Sequence, residues 1–430
     1  MSSWMRPTNP RALWLSLFVG VNVLCGAIIY FGNRLLGETQ DLRLDDRSSV
    51  LPATAIVVLS YVLLLAVVFP VLNRVRVRPR FRPTADSPQS RAAGILLFVL
   101  QLGFIAFFEA TGTFVAGSTE HSDSVFSMVW VVISVDSLFF VYYGFYRESK
   151  LFWPNVAIAV VSNVLRGWTG IFILIAFMES ARAMRRGKFS LKLLGPIVLG
   201  FVLAYPVLNL VKLQIRFMSS GAAQDVSFVA LATSTISELQ PNDYVDLIES
   251  SGEALLARMQ LVSNMIAVRQ FQNVLAGAVR DGEVEPYWKE GIYGIAYDRL
   301  SGTQPKFNIG VGLAYAIDPD QEEGSWNSNP GYASWLVLDP ASAPLYLAYT
   351  IGLLLLCVVM IKRMGGRLEA QDMLWWASLG YLLPGWTASF VLFFNSLAMF
   401  YAFHLCTQRL LPAPRPAAPG IPRPVSRMTP

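Results

Sequence analysis

Arginine and lysine are the residues of this sequence placed where they could do chemistry. Arg166, Lys212, Arg216, Arg258, Arg299 and Lys306 stand at the ends of long apolar runs or in a polar segment beyond them. A guanidinium near hydrocarbon is costly and is kept where an anionic partner offsets the cost. Its planar fork matches a phosphate bidentately. The chemistry that suits this pattern is the binding of a phosphate or pyrophosphate, such as that of a lipid, at a membrane edge. Other common chemistries find no residues. No glycine-rich phosphate loop, serine nucleophile elbow, HExxH zinc motif or dinucleotide fingerprint occurs. His121 and His404 are the only histidines. That excludes a histidine-rich metal site and leaves a Ser or Cys nucleophile on the outer face with His121 alone as partner. Cys25, Cys357 and Cys406 all fall in apolar runs, so the polar segment has neither a disulfide nor a cysteine-ligated metal.

Three acids stand inside apolar runs. Glu109 lies near the outer end of its run. Glu179 lies near the inner end of another, three residues before Arg182, and is expected to pair with it. Asp136 lies near the middle of its run, the costliest place for a charge. It is either protonated or hydrogen-bonded to a Ser, Asn or Tyr of a neighbouring helix, or it partners a basic residue or serves a proton path. Lys212 and Arg216, four apart, share a helix face and suit either an anionic ligand or simple snorkelling to headgroups.

The elements that must position these residues are membrane spans. The chain is 54% hydrophobic and only 15% charged, with mean hydropathy +0.47, which is the composition of a polytopic membrane protein and excludes a soluble domain. Crossing the hydrocarbon as a helix takes about 20 apolar residues. Ten runs serve, at 12–31, 51–73, 93–115, 125–146, 151–165, 168–183, 193–215, 343–361, 371–384 and 387–408. No cleavable leader is expected, because the first run follows Arg6 and Arg11 and is long enough to span. The basic residues set the orientation. Arg74 to Arg91, Arg147 and Lys150, Arg182 to Lys192, Lys362 to Arg367 and the tail from Arg409 join Arg6 and Arg11 on one side. These are 22 of the 34 basic residues, and the positive-inside rule makes that side cytoplasmic.

The expected fold is therefore an all-α polytopic membrane protein of about ten transmembrane helices, with one large, mainly helical periplasmic loop. It divides into a seven-span bundle (1–216), the external loop or cap (217–342), three further spans (343–410) and a Pro-rich disordered tail (411–430). Both termini are cytoplasmic. Within the loop, Ser250 and Glu253 form a capping box, and a helix-compatible run continues from there to Val279, stopped by Asp281-Gly282. Arg258, Arg269 and Arg280 recur every eleven residues, about three turns, and would share one face roughly 16 Å apart. That face is either a solvated stripe or turns at least Arg258 toward an anionic ligand. Two turns, Arg166-Gly167-Trp168-Thr169 and Pro384-Gly385-Trp386-Thr387, join span pairs. Gly permits each turn, Trp sits at the interface and Thr can cap the next helix.

This order of features resembles that of bacterial O-antigen and exopolysaccharide repeat-unit polymerases. The resemblance rests on the topology, on the short span ending in Asn163-Val164-Leu165-Arg166-Gly167, and on motifs inside the loop. There Pro286-Tyr287-Trp288-Lys289-Glu290-Gly291-Ile292-Tyr293 leads to Asp298-Arg299, Pro305-Lys306 and Ser328-Asn329-Pro330-Gly331-Tyr332. Asp replaces the family's Pro before Arg299, and Lys306 follows a proline instead of preceding one. The resemblance implies a metal-independent glycosyltransferase, without cofactor or nucleotide sugar. It would polymerise undecaprenyl-pyrophosphate-linked repeat units on the periplasmic face of a bacterial inner membrane. Arg166, Arg258, Arg299 and Lys306 are assigned to catalysis on the pyrophosphate, and Lys212, Arg216, Arg269 and Tyr293 to substrate binding. The base is Glu285, Glu283 or no residue. Expected partners are the lipid-linked glycan, the bilayer, and a chain-length regulator and flippase of the same pathway, with no nucleic acid.

Three rivals stand beside this expectation. An O-antigen ligase shares the topology and the arginines, but the loop lacks the ligase histidine. A lipid-phosphate-sugar-dependent transferase would use an acidic pair in the first external loop, for which Asp45-Asp46 would serve. A transporter or flippase finds its best support in Asp136, and no inverted repeat is visible. The orientation is directly testable. A reporter active only outside the cytoplasm should work when fused near Gly282 and fail near Arg82 or Arg415, and activity at Arg82 would invert the topology.

Overall fold

A computed structural model describes residues 9–81, 84, 87–114, 125–189, 247–248, 251–253, 255–256, 258–302, 307–320 and 327–410. These residues are almost entirely helical. No β-strand occurs among them, and one isolated bridge pairs Val284 with Phe307.

Helix α1 (Pro10–Gly32) starts where the Asn9 side chain accepts the backbone N–H groups of Arg11 and Ala12, and it ends at Asn33 in the left-handed region. Helix α2 (Val50–Val62) continues through a π-turn at Leu63–Val68 into Phe69–Leu72. Helix α3 (Pro88–Thr111) is capped by Ser87 and closed by Gly112 at φ 66°. The expected span 125–146 is not continuous. Ser134 at φ 41° divides it into α4 (Val125–Ile133) and α5 (Val135–Tyr146). The Val132 carbonyl beside this break accepts the side-chain amide of Asn395 at 2.8 Å. Helices α6 (Phe152–Leu165) and α7 (Gly170–Arg185) follow.

Among the described residues, six helical segments are long and apolar enough to cross a membrane: Pro10–Thr39, Arg47–Leu72, Pro88–Thr111, Phe126–Tyr146 (α4 and α5 together), Ala343–Arg363 and Thr387–Leu410. The protein is a membrane protein. Phe152–Leu165 is apolar but covers only about 21 Å at 1.5 Å per residue, and the expected span 193–215 lies outside the described residues. Large apolar side chains point outward where lipid tails would lie, among them Leu24 and Ile28 on α1, Leu59 and Val67 on α2, and Ile95 and Val99 on α3.

The polar segment supplies α8 (Val262–Gln270), α9 (Gln272–Asp281), α10 (Ile292–Ser301), α11 (Ile309–Ile317) and α12 (Tyr332–Leu338). The single helix expected to run to Val279 is broken at Gln260–Leu261 and again at Phe271, so Arg258, Arg269 and Arg280 do not share one helix face. The reason for the first break is visible. The Asn22 side chain, halfway along α1, accepts the Leu261 N–H at 2.8 Å and donates to the Met259 carbonyl at 3.2 Å. It thus replaces helical partners for two backbone groups. Residues 262–268 are all buried, packed against α1, α2 and α12, and they share one core with the long helices. The chain returns through α13 (Ala343–Arg363), α14 (Leu368–Ala377, extended by a π-turn at Ser378–Leu382) and α15 (Thr387–Leu410).

Helix α14 is the enclosed centre. Residues 372–379 are all buried, and Phe177 of α7 stacks on Trp375 and Trp376 with ring centroids 5.6 and 4.6 Å away. Basic residues gather at its N-terminal end. Buried Asp372 pairs with Arg11 at 2.9 Å and with Arg185. Glu179 pairs with Arg147 at 2.6 Å and not with Arg182, which reaches Glu148 instead. Arg147 offers two parallel bonds to Glu179, a fork that Arg182 does not make here. Asp372→Ala would leave Arg11 and Arg185 facing each other without their anion. The expected cost is about 3 kcal/mol or more, read as a lower melting temperature in detergent and a lower membrane level, with Asp372→Asn intermediate.

Candidate functional site

Arg166 sits at the end of α6, and its guanidinium turns inward. One nitrogen donates to both Asp136 oxygens at 2.8 Å, and Nε donates to the Ser162 carbonyl at 3.1 Å. The Asn163 amide donates to the same carboxylate at 2.9 Å. The Phe104 ring lies 4.9 Å from the guanidinium carbon. Only 3% of the Arg166 side chain is exposed, against 40% for Asp136. The Ser134 break presents Asp136 in the first turn of α5, where the helix dipole favours a carboxylate. An anionic ligand at Arg166 would therefore compete with an internal carboxylate. The sequence left Asp136 open between an amide bond and a basic partner, and the structure gives it both.

The other basic candidates lie elsewhere. Arg258, Arg269 and Arg299 are exposed on the polar segment, whereas Arg166 is buried among the helices. Lys212, Arg216, Lys306 and Ser250 lie outside the described residues. Asp298 turns away from its neighbour Arg299 and pairs with Lys289 at 3.0 Å. Tyr293 is exposed, its ring 6.5 Å from Phe394 of α15. Asp45 accepts from Gln270 at 3.1 Å, and Asp46 accepts the Ser48 N–H at 2.8 Å, so the acidic pair caps and braces the chain before α2. The Ser48 hydroxyl and N–H hold the Asp46 carboxyl below its usual range.

The second turn, at 383–387, is where the polar segment docks. Gly385 at φ 88° lets its backbone meet that of Gly331. A Cβ there would come within 2.8 Å of Gly331 N. Beside it, the Tyr332 N–H donates to the Leu383 carbonyl at 2.9 Å. Gly291 at φ 92° meets Ala388, where a Cβ would approach the Ala388 Cα to 3.1 Å. The expected threonine caps do not form: Thr169 makes no capping bond and the Thr387 hydroxyl has no partner.

Between these two glycine contacts lies Glu290, 5% exposed. Among the described residues its Oε1 is buried without a hydrogen bond, as are the Tyr346 and Thr387 hydroxyls. Burial pushes the Glu290 carboxyl up to about 8, with the Thr387 hydroxyl opposing and Glu285 adding to the rise. Around it, the Tyr287 ring lies 5.0 Å from Tyr346 and 5.5 Å from Tyr349, and Tyr332 lies 5.0 Å from Tyr346. In the sequence Glu290 is one residue of the 286–293 motif and not a base candidate; of the two that are, Glu283 is exposed and the Glu285 backbone N–H bonds to the Phe307 carbonyl. A lone acid set among Tyr287, Trp288 and Tyr293 was the signal available.

The Arg166 pair yields a test. Asp136→Ala strands a buried guanidinium and should cost about 3 kcal/mol. Asp136→Ala with Arg166→Leu should recover much of that loss, and the coupling is read from a double-mutant thermal-stability cycle in detergent. Additive losses would mean that the pair does not hold α5 to α6. No family model, no curated protein and no solved structure matches this chain.

Proposed function

We propose that this protein polymerises undecaprenyl-pyrophosphate-linked oligosaccharide repeat units at the periplasmic face of a bacterial inner membrane. In this reading the chain has about ten spans with cytoplasmic termini, and 217–342 is periplasmic. The observation that carries it is the docking of the polar segment onto the helix ends opposite the basic cluster. There it meets the C-terminal end of α1 and the N-terminal ends of α13 and α15. The polar segment carries the exposed Arg258, Arg269 and Arg299 and the buried acid Glu290. The transfer needs both kinds of group. Cations neutralise the leaving pyrophosphate, and preorganised charges of this sort stabilise a developing anion without reorganisation. A group on the acceptor side receives the hydroxyl proton.

A transporter is the second reading. The Ser134 break and the Asp136–Arg166 pair give it support that the sequence did not, because helices broken near their middle and buried ion pairs recur in transporters. One reconstitution separates the two. Purified protein in vesicles, given a lipid-linked repeat unit, should yield a ladder of lipid-linked products spaced by one unit. Movement of the single unit across the bilayer without lengthening would favour transport and overturn the polymerase.

A further inference from the structure

The groups around Glu290 form a proton-handling arrangement that no stability argument requires. Three buried polar atoms, Glu290 Oε1, Thr387 Oγ1 and Tyr346 Oη, come from three separate segments and have no partner within hydrogen-bond distance among the described residues. Thr387 lies close enough to influence both the Glu290 carboxyl and the Tyr346 hydroxyl. Buried polar groups are ordinarily paired, and each exception asks for a reason. A structural role would be served better by an apolar side chain or by a glutamine with its bonds made. The backbone on both sides is fixed. Gly291 is pressed against Ala388, and the neighbouring Lys289 is tied to Asp298, so the carboxyl is held on a rigid frame and not on a mobile tip. The surroundings also suit a sugar. Tyr287 and Tyr349 are partly exposed, and Trp288 and Tyr293 are exposed, so aromatic rings of the kind that stack on sugars stand in the same loop and helix end as Glu290.

We propose that Glu290 is the base of the transfer reaction, accepting the proton of the acceptor sugar's hydroxyl. The proposal rests on the polymerase reading above. In the step, the acceptor oxygen bonds to the anomeric carbon of the growing chain. The bond from that carbon to the pyrophosphate oxygen breaks, and the lipid pyrophosphate leaves with the electron pair. The hydroxyl proton passes to the Glu290 carboxylate, which later releases it to water. Glu285 disfavours the ionisation of Glu290, and the adjacent Lys289 is neutralised by its pairing with Asp298. The sign of the pH dependence follows. An acid raised by burial is mostly protonated at pH 7, and only its ionised fraction accepts a proton. The rate should therefore climb with pH and level off above about 8.

The test uses full-length protein in vesicles with a lipid-linked repeat unit. Wild type should form the ladder with a rate that rises through a midpoint near pH 8 and levels off above it. Glu290→Gln should reach the membrane normally, lose at least about 100-fold in rate, and have no such pH step in what remains. Glu290→Asp should recover part of the rate. A second measurement needs no variant. Carbodiimide modification of protonated carboxyls, followed at Glu290 by mass spectrometry, should fall over the same pH range in which the rate rises. A wild-type ladder with normal Glu290→Gln activity would overturn the assignment and leave the polymerase standing. So would loss of activity with no titration of Glu290 in the labelling, which would make it a structural residue. No ladder from wild type would overturn the polymerase reading itself.

Discussion

Inside a bilayer, every backbone N–H and C=O freed by a broken helix must find its partner within the protein. The Asn22 side chain meets that constraint for the break at Met259–Leu261, accepting from one peptide and donating to another. Gln260 and Ser263 extend the junction. Ser263 accepts the Leu36 N–H at 3.0 Å, and the Gln260 side chain accepts the Ser263 N–H at 3.0 Å. With these bonds made, the buried stretch 262–268 of α8 can lie among α1, α2 and α12. Residues 262–268 of the polar segment are thereby part of the protein's interior.

The same logic runs through the other irregularities. The Ser134 break frees a carbonyl that Asn395 takes, and it turns Asp136 toward Arg166 and Asn163. At the 383–388 turn, two left-handed glycines let separate loops approach by their backbones, and Glu290 is enclosed between them. Each irregularity lies where polar groups are concentrated. That is the usual pattern for membrane proteins, in which buried polar residues are costly and retained for a purpose.

Much of the architecture was legible in the sequence because long apolar runs have one common outcome in a bilayer. The runs near 12–31, 51–73, 93–115, 343–361 and 387–408 all appear as helices able to span. The breaks were less legible. Ser134 interrupts an apolar run with no Gly or Pro to announce it, and Asn395, which completes the break, is 261 residues away. Asn22 was visible as a lone amide in an apolar run, but its partner at Leu261 depends on tertiary packing. The candidate site divides in the same way. Arg166 stood out by its type and position, but its pairing with Asp136 needed the helix break to be known. Glu290 was hidden because enclosure, and not residue type, sets it apart from Glu283 and Glu285.

Through the buried stretch of α8 the polar segment is built into the helical core. Hydrogen–deuterium exchange of the detergent-solubilised protein tests it most directly. If α8 is enclosed as described, the amides of 262–268 should exchange as slowly as those of the spanning helices, and Asn22→Ala should speed them selectively. Rapid exchange at 262–268 in the wild-type protein, at the rate of an exposed loop, would contradict the account.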